Sequence, residues 1–428
     1  MNSQEFWCRK EQELTFLEQY AGSVQDRTPP TDFEAFVYSV STLKKRILLY
    51  QMKQAAVLTE TSIAGPKRFM SHSGPVTYGY QRYDLRRVDV DWLQELYFAD
   101  VEGRLSDGLF LACGMSAIAA FFSIFARRDW KQVQFSPVPY FESNLLAKRF
   151  FHTITFDYAD GQFASDRDVL WLDTSSLIWP KFPEHKGSIR LIVVDTTCVE
   201  PDSKHILRWL HESARLQCPL ALVRSHIKID SFGLELGRLG SAVVIAPDDN
   251  SDETEELVKE LLQARSGFGT GFSLVNLYPW LGNPEFASLT RLRTNAIRRV
   301  AKSLHSELIE TRQPDDQFEV LPYANHGIFL IIQTHLDVNN DENRQDGMNP
   351  FKSFELSLAI AKFCSKSNLP VIAAGSLGLD QITINDFINL NNGMHQVRVA
   401  SSDIPHHLIP EAAMCIRKAI VDFTKGKK

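Results

Sequence analysis

Apolar positions near the N-terminus recur at helical spacing: Phe6, Trp7, Leu14, Leu17 and Tyr20, then, beyond Pro29-Pro30, Phe36, Val40, Leu43, Ile47 and Tyr50. That period predicts two helices with one apolar face each, the second capped by Thr31 or Asp32. Both faces need a cover, either the main body or a partner subunit. Residues 60–75, with Gly65-Pro66 and Ser73-Gly74-Pro75, read as a loose connection, and Val76 to Tyr83 as an extended aromatic stretch. A helix carrying Trp92, Leu93, Leu96 and Tyr97 follows.

From Leu109 the pattern changes. Short apolar runs at Leu109–Ala112, Val133–Val138, Thr153–Phe156, Val169–Asp173, Leu191–Val194, Ala221–Arg224 and Ser241–Ala246 read as strands. Helical stretches lie between several of them, among them Ala117–Phe125 and about Lys204–Leu216. Runs this short and this apolar predict an α/β fold built on a mostly parallel sheet covered on both faces. A long helix from Pro284 leads to strands at Gly327–Gln333 and Val397–Ala400 and helices at Ser353–Ser365 and Pro410–Thr424, a smaller α+β domain. The expected division is an N-terminal helical arm (1–75), a large domain (76–288) and a small C-terminal domain (289–428).

Composition narrows the class. The chain has 428 residues, 44% hydrophobic and 23% charged, with a net charge of -6, which is ordinary for a globular protein and leaves no basic footprint for nucleic acid. Six scattered cysteines without a Cys-x-x-Cys fit a reducing cytoplasm. The first ten residues carry Glu5, Arg9 and Lys10 and lead into no long apolar core, so no secretory signal is expected. The uncharged run Leu109–Ala126 contains Gly114, Ser116 and Ser123 and divides into strand and helix, so no membrane span is expected. The loop from Asp337 starts like a calcium loop, but Glu342 stands where glycine is required and Met348 where the bidentate glutamate belongs; no metal is expected.

Candidate chemistry gathers at strand ends, where open α/β sheets bind ligands. The strand Ala221-Leu222-Val223-Arg224 runs into Ser225-His226-Ile227-Lys228. A lysine at the rim of a sheet can be partly desolvated and form a Schiff base with an aldehyde cofactor, with Ser225 placed for a phosphate. Spacing alone does not single it out, since Ser41-Thr42-Leu43-Lys44 repeats it within a helix. The turn Cys113-Gly114-Met115-Ser116, between strand and helix, offers backbone N–H groups to a phosphate.

In order along the chain, these elements resemble the fold-type I pyridoxal-phosphate enzymes, most closely the cystathionine synthase and lyase (Cys/Met metabolism) family, across residues 76–405. Tyr80-Gln81-Arg82-Tyr83 is similar to the Tyr-Ser-Arg-Tyr segment that reaches the cofactor phosphate of a neighbouring subunit, and Cys113 to Ile118 to the Ser-Gly-Met-Ala-Ala-Ile phosphate turn. Tyr140 falls where a tyrosine stacks on the pyridine ring, Val194-Asp195-Thr196-Thr197 matches Val-Asp-Asn-Thr, Ser225–Lys228 matches Ser-x-Thr-Lys, and Arg398 stands where an arginine grips the substrate carboxylate. The resemblance thus implies pyridoxal 5'-phosphate, with Gly114, Met115, Tyr140, Asp195, Ser225, Lys228, Tyr80 and Arg82 holding it, Lys228, Tyr140 and Tyr80 in catalysis, and Arg398 and Ser175 on the substrate. Departures are Asp84-Leu85-Arg86 in place of Asn-Pro-Thr, Ile227 in place of threonine, and Thr174-Ser175-Ser176 without Asn-Pro. Gly237-Arg238-Leu239-Gly240 is similar instead to a class I aminotransferase segment whose arginine, here Arg238, holds the phosphate. The implied activity is β/γ-elimination or replacement on an L-amino acid by a cytoplasmic homodimer or dimer of dimers. The alternatives are an aminotransferase and a catalytically silent binding protein on the same fold.

Overall fold

A computed structural model describes residues 3–22, 30, 32–59, 67–71, 74–78, 106–235, 238–247, 252–272, 276–281, 283–334, 355–388 and 394–426. Two compact units are present: residues 12–291, and residues 1–11 with 292–428. Helix α1 (Ser3–Glu18) contributes to both.

In the larger unit, α2 (Phe33–Thr59) starts at Asp32, whose carboxylate accepts the Ala35 N–H at 2.8 Å, an N-cap bond. Phe16 and Tyr20 from α1 pack edge-on against Phe232 and Trp280 of the main body, and the Gln51 amide of α2 donates to the Leu277 carbonyl. The expected loose connection is in part ordered: β1 (Lys67–Ser71) and β2 (Gly74–Tyr78) pair antiparallel. Gly74-Pro75, read as loop punctuation, opens the second strand of this pair, where proline is tolerated at an edge.

Next come β3 (Ser106–Leu111), α3 (Gly114–Arg127), β4 (Gln132–Phe135), α4 (Phe141–Phe150), β5 (Thr155–Tyr158), β6 (Val169–Asp173), β7 (Leu191–Asp195), α5 (Lys204–Arg215), β8 (Leu220–Ser225), β9 (Gly240–Ile245) and α6 (Asp252–Phe268). Strand order is β3-β9-β8-β7-β6-β4-β5, with parallel pairing except at β9, which runs antiparallel to both neighbours. Strands β6 and β7 are buried at every residue, as strands covered on both faces must be. One face, with Val133, Phe135, Val169, Trp171, Leu191 and Val193, packs against Phe121, Phe122 and Phe125 of α3 and Leu257 and Leu261 of α6. Helix α6 closes on Gly269, left-handed at φ 61°, with Thr270 N–H bonded back to the Arg265 carbonyl, and the Thr270 carbonyl accepts Ala112 N–H at 2.8 Å. That bond fixes the exit of β3, where the glycine turn begins.

Helix α7 (Pro284–Thr311) holds the boundary between the units at residue 291. The smaller unit has β10 (Phe318–Val320), β11 (Phe329–Thr334), α8 (Glu355–Ser365), β12 (Val371–Ala373), β13 (Ile382–Ile388), β14 (His395–Ala400) and α9 (Ile409–Thr424), with sheet order β10-β11-β14-β13-β12. Residues 1–11 join it by charge. The Arg9 guanidinium donates to both oxygens of Asp403, and the Lys10 ammonium lies 3.0 Å from Asp380 and 3.1 Å from Asp403. Arg293 completes the network at 2.9 Å from Asp380. All five side chains are buried, and the three cations hold both carboxylates below their usual range in spite of burial. Asp403→Ala removes one of the two carboxylates that face three buried cations and is expected to lower stability by roughly 3–5 kcal/mol, read from urea unfolding.

Candidate active site

Strands β6, β7 and β8 are parallel and adjacent, so their final residues, Asp173, Asp195 and Ser225, reach the same rim of the sheet. Because β9 is antiparallel, its first residue, Gly240, comes to that rim too, opposite Ser225 on one side and Leu111 on the other. The chain leaving β3 crosses directly over this point. A Cβ on Gly240 would lie 2.3 Å from the Cys113 carbonyl carbon and 2.5 Å from Gly114 N, so only glycine lets the turn settle there. A Cβ on Gly114 would likewise meet the Ser225 Cβ at 2.9 Å. These contacts bring the first turn of α3, with the N–H groups of Gly114 and Met115 at its open end, against the Ser225 strand end.

Asp195 is buried, and its carboxylate accepts the Thr197 N–H at 2.9 Å. Burial, then the neighbouring Asp173 carboxylate, push its pKa up to about 7, against the Thr197 hydrogen bonds and the Arg224 guanidinium. Thr197 links onward, its Oγ1 accepting the Ser225 N–H at 3.0 Å. Tyr140 is half-buried and caps α4; its N–H donates to Asp173 Oδ2 at 2.6 Å, while Ser175 N–H donates to Oδ1 at 2.7 Å.

Lys228 lies three residues past β8, its side chain 18% exposed and its Nζ 3.9 Å from Glu235 Oε1. Its loop rests on a buried polar cluster. Arg224 donates Nε and Nη2 to the two oxygens of Asp230 at 2.7 and 2.6 Å, and Nη1 to the carbonyls of Thr196 and Val199. His226 bridges Asp230 at 2.7 Å and the Ser241 hydroxyl at 2.8 Å. Burial would raise the Asp230 pKa, but Arg224 and His226 hold it at about 2; burial pushes the His226 pKa down, against its hydrogen bond to Asp230.

Of the expected site residues, Gly114, Met115, Tyr140, Ser175, Asp195, Ser225 and Lys228 all lie in the larger unit, on this rim or in the segments directly after it. Arg238 is exposed two residues before Gly240. Arg398 lies on β14 of the smaller unit, its guanidinium 5.6 Å from the Phe329 ring centroid. Tyr80 and Arg82 lie outside the described residues, as does the Asp337 loop. Sequence reasoning passed over Asp173, Thr197, Gly240 and the Arg224–His226–Asp230 cluster. Asp173 ends its strand just as Asp195 does, which was a usable signal; Arg224 and Asp230 announce themselves only as charges beside an apolar strand. Among the described residues no helix is long and apolar enough to cross a membrane.

Neither a family profile nor a curated protein matches the sequence. Solved structures do match. MetB from Corynebacterium glutamicum is 15% identical, with 81% of this chain and 88% of that one covered and a TM-score of 0.52. CalE6, a methionine gamma lyase from Micromonospora echinospora, is 14% identical over 73% and 81% of the two chains, with a TM-score of 0.48. MetY from Campylobacter jejuni, whose structure carries N'-pyridoxyl-lysine-5'-monophosphate, is 13% identical over 77% and 83%, with a TM-score of 0.47. The likeness to metB is one of fold. The chain has the fold-type I architecture expected from its sequence: a large α/β domain with a mostly parallel sheet and a smaller α+β domain.

Two outcomes follow. Gly240→Ala forces the Cys113–Gly114 backbone aside and is expected to cost roughly 1–3 kcal/mol, read as a lowered melting temperature. Asp195 carries a pKa of about 7 when folded, against about 3.9 for an unfolded aspartate. The stability its proton supports is complete below about pH 4 and is lost as pH rises through about 7. Urea titrations across that window should show the loss in the wild type and a smaller one in Asp195→Asn, where Asp173, itself raised by burial, still titrates.

Proposed function

We propose that this chain is a pyridoxal-phosphate enzyme that eliminates or replaces a side-chain group at the β or γ carbon of an L-amino acid, working in the cytoplasm as a homodimer. The observation that carries the reading is the packing of the Gly114 turn onto Ser225, three residues before Lys228, with buried Asp195 at the end of the adjacent strand. The donor set fits the cofactor: a glycine-lined helix start for a phosphate, a buried carboxylate for a ring nitrogen, and a partly exposed lysine for an aldehyde. The fold shared with metB supports it.

When bound, the cofactor supplies an electron sink for a bond broken at Cα. The N–H groups of Gly114 and Met115 and the Ser225 hydroxyl would receive the phosphate, with Arg238, Tyr80 and Arg82 supplementing them. Tyr140 offers its ring face as a flat apolar cover. Asp195 would keep a proton at the ring nitrogen. Lys228 Nζ would be the amine that holds the cofactor aldehyde and, when free, the base that moves the Cα proton. Arg398 would take the substrate carboxylate, which a guanidinium can grip through paired hydrogen bonds, Ser175 would bind the substrate as well, and Tyr140 or Tyr80 would deliver a proton to the departing group.

The visible spectrum of the protein mixed with pyridoxal phosphate, before and after borohydride, tests this beside Lys228→Ala. A band bleached by borohydride, with the cofactor trapped on the Lys228 peptide and lost in the variant, is expected. Thioether, hydroxy or halogenated L-amino acids should then yield ammonia and keto acid, or a replacement product. Conversion of the cofactor to pyridoxamine phosphate by an amino acid alone would assign transamination instead. Normal loading without response to any amino acid would leave a binding protein, and a protein that takes up no pyridoxal phosphate overturns the reading.

A further inference from the structure

Asp173, which the motifs do not single out, is hydrogen-bonded to two of the expected site residues. It is buried at the end of β6, in register with Asp195 on β7. Each carboxylate oxygen has a fixed job: Oδ2 accepts the N–H of Tyr140 at 2.6 Å and Oδ1 that of Ser175 at 2.7 Å. Its own N–H is held by Ser136 Oγ, which also meets Ser176 Oγ at 2.8 Å. The next residue, Thr174, donates both N–H and Oγ1 to the Asp195 carbonyl, at 3.1 and 2.6 Å. One strand end therefore staples the Tyr140 helix start, the Ser175 turn and the Asp195 backbone together.

We propose that Asp173 is a positioning residue: its carboxylate binds the Tyr140 platform to the Ser175 turn and sets, across the strand pair, the charge that Asp195 presents to a ring nitrogen. The ring clause rests on the pyridoxal-phosphate reading; the pairing of the two carboxylates does not. Two buried carboxylates at adjacent strand ends cannot both ionise cheaply. The groups facing Asp195 are Asp173 from β6, Thr197 on its own loop and Arg224 from β8, and the Arg224 charge is itself engaged by Asp230. Asp173 is thus the carboxylate whose charge bears on Asp195; burial raises its own pKa as well, against the Tyr140 and Ser175 hydrogen bonds that favour its ionised form, and none of those bonds involves Asp195.

The test uses the cofactor-free protein first. Infrared difference spectra across pH, with Asp195→Asn subtracted, isolate the Asp195 carboxyl stretch. Asp173→Asn keeps the shape and removes the charge, and should lower the Asp195 midpoint by about one pH unit or more. Asp173→Glu keeps the charge and should restore the midpoint, with Asp173→Gln as its neutral isostere should Asp173→Asn fail to fold. An unchanged midpoint in the neutral variants, or an equal fall in Asp173→Glu, overturns the pairing, because a purely structural role would not distinguish charge. Pyridoxal-phosphate affinity, read by tryptophan fluorescence across pH, is the second arm. It should weaken by about tenfold in Asp173→Asn with an altered pH dependence and recover in part in Asp173→Glu, a pattern expected of the loss of a positioned charge–dipole set. Unchanged affinity and pH dependence overturn the ring clause. A wild-type protein that binds no pyridoxal phosphate defeats the cofactor reading separately, and the infrared titration still decides the pairing.

Discussion

The candidate site depends on one buried ion pair. Arg224 and Asp230 are both fully buried, and a guanidinium and carboxylate removed from water survive only when every hydrogen bond is placed. Here they are. Arg224 spends two donors on Asp230 and a third on the carbonyls of Thr196 and Val199, directly after Asp195. Asp230 accepts from His226 as well, and the Trp280 indole N–H reaches the Asp230 carbonyl. The pair thus ties the loop behind Asp195 to the loop that carries Lys228. Their relative placement is set by bidentate geometry, which is stiffer than the packing of two loops alone.

Topology supplies the second constraint. Parallel strands send all their carboxyl ends to one rim, so Asp173, Asp195 and Ser225 cannot avoid one another. Strand β9 breaks the pattern, and its reversal has a use: it brings an amino-terminal glycine to a rim otherwise made of carboxyl ends. Gly240 then leaves room for the Cys113–Gly114 turn to descend onto Ser225. A β9 running parallel to β8 would present a strand end bearing Ile245 instead, with no clearance for that turn.

Legibility in the sequence followed burial and locality. Strands β6 and β7 are buried throughout, and their apolar runs announced them; α3 showed as a helix behind a glycine turn. Strands β12 and β13 were missed, because Val371–Ala373 is three residues long and Ile382–Ile388 carries Asn385 and Asp386. Asp386 is buried there with Ser357 and His395 bound to it, a compensation that involves a distant helix and cannot be read locally. The same holds within the site. Asp195, Ser225 and Lys228 stand in short motifs, whereas Asp173 acquires its role from Tyr140, 33 residues earlier. The N-terminal helices were legible as amphipathic, but their partners were not: Arg9 finds Asp403, 394 residues away.

The departure at Ile227 changes how the lysine loop is held. A hydroxyl at that position could offer the loop a hydrogen-bonding anchor; isoleucine offers none. The compensation lies underneath. His226, the residue before it, turns into the core to bind Asp230 and Ser241 and lies 5.7 Å from the Phe110 ring. Beyond Lys228, Phe232 adopts a left-handed φ of 51°, unfavourable for a bulky side chain, and is packed by Phe16, Trp280 and Phe286. A strained, buried aromatic persists only where its surroundings over-determine it. The lysine loop is therefore fixed from the core side by an ion pair, a buried histidine and an aromatic cluster, and any group that binds above it meets an amine whose backbone is already in place.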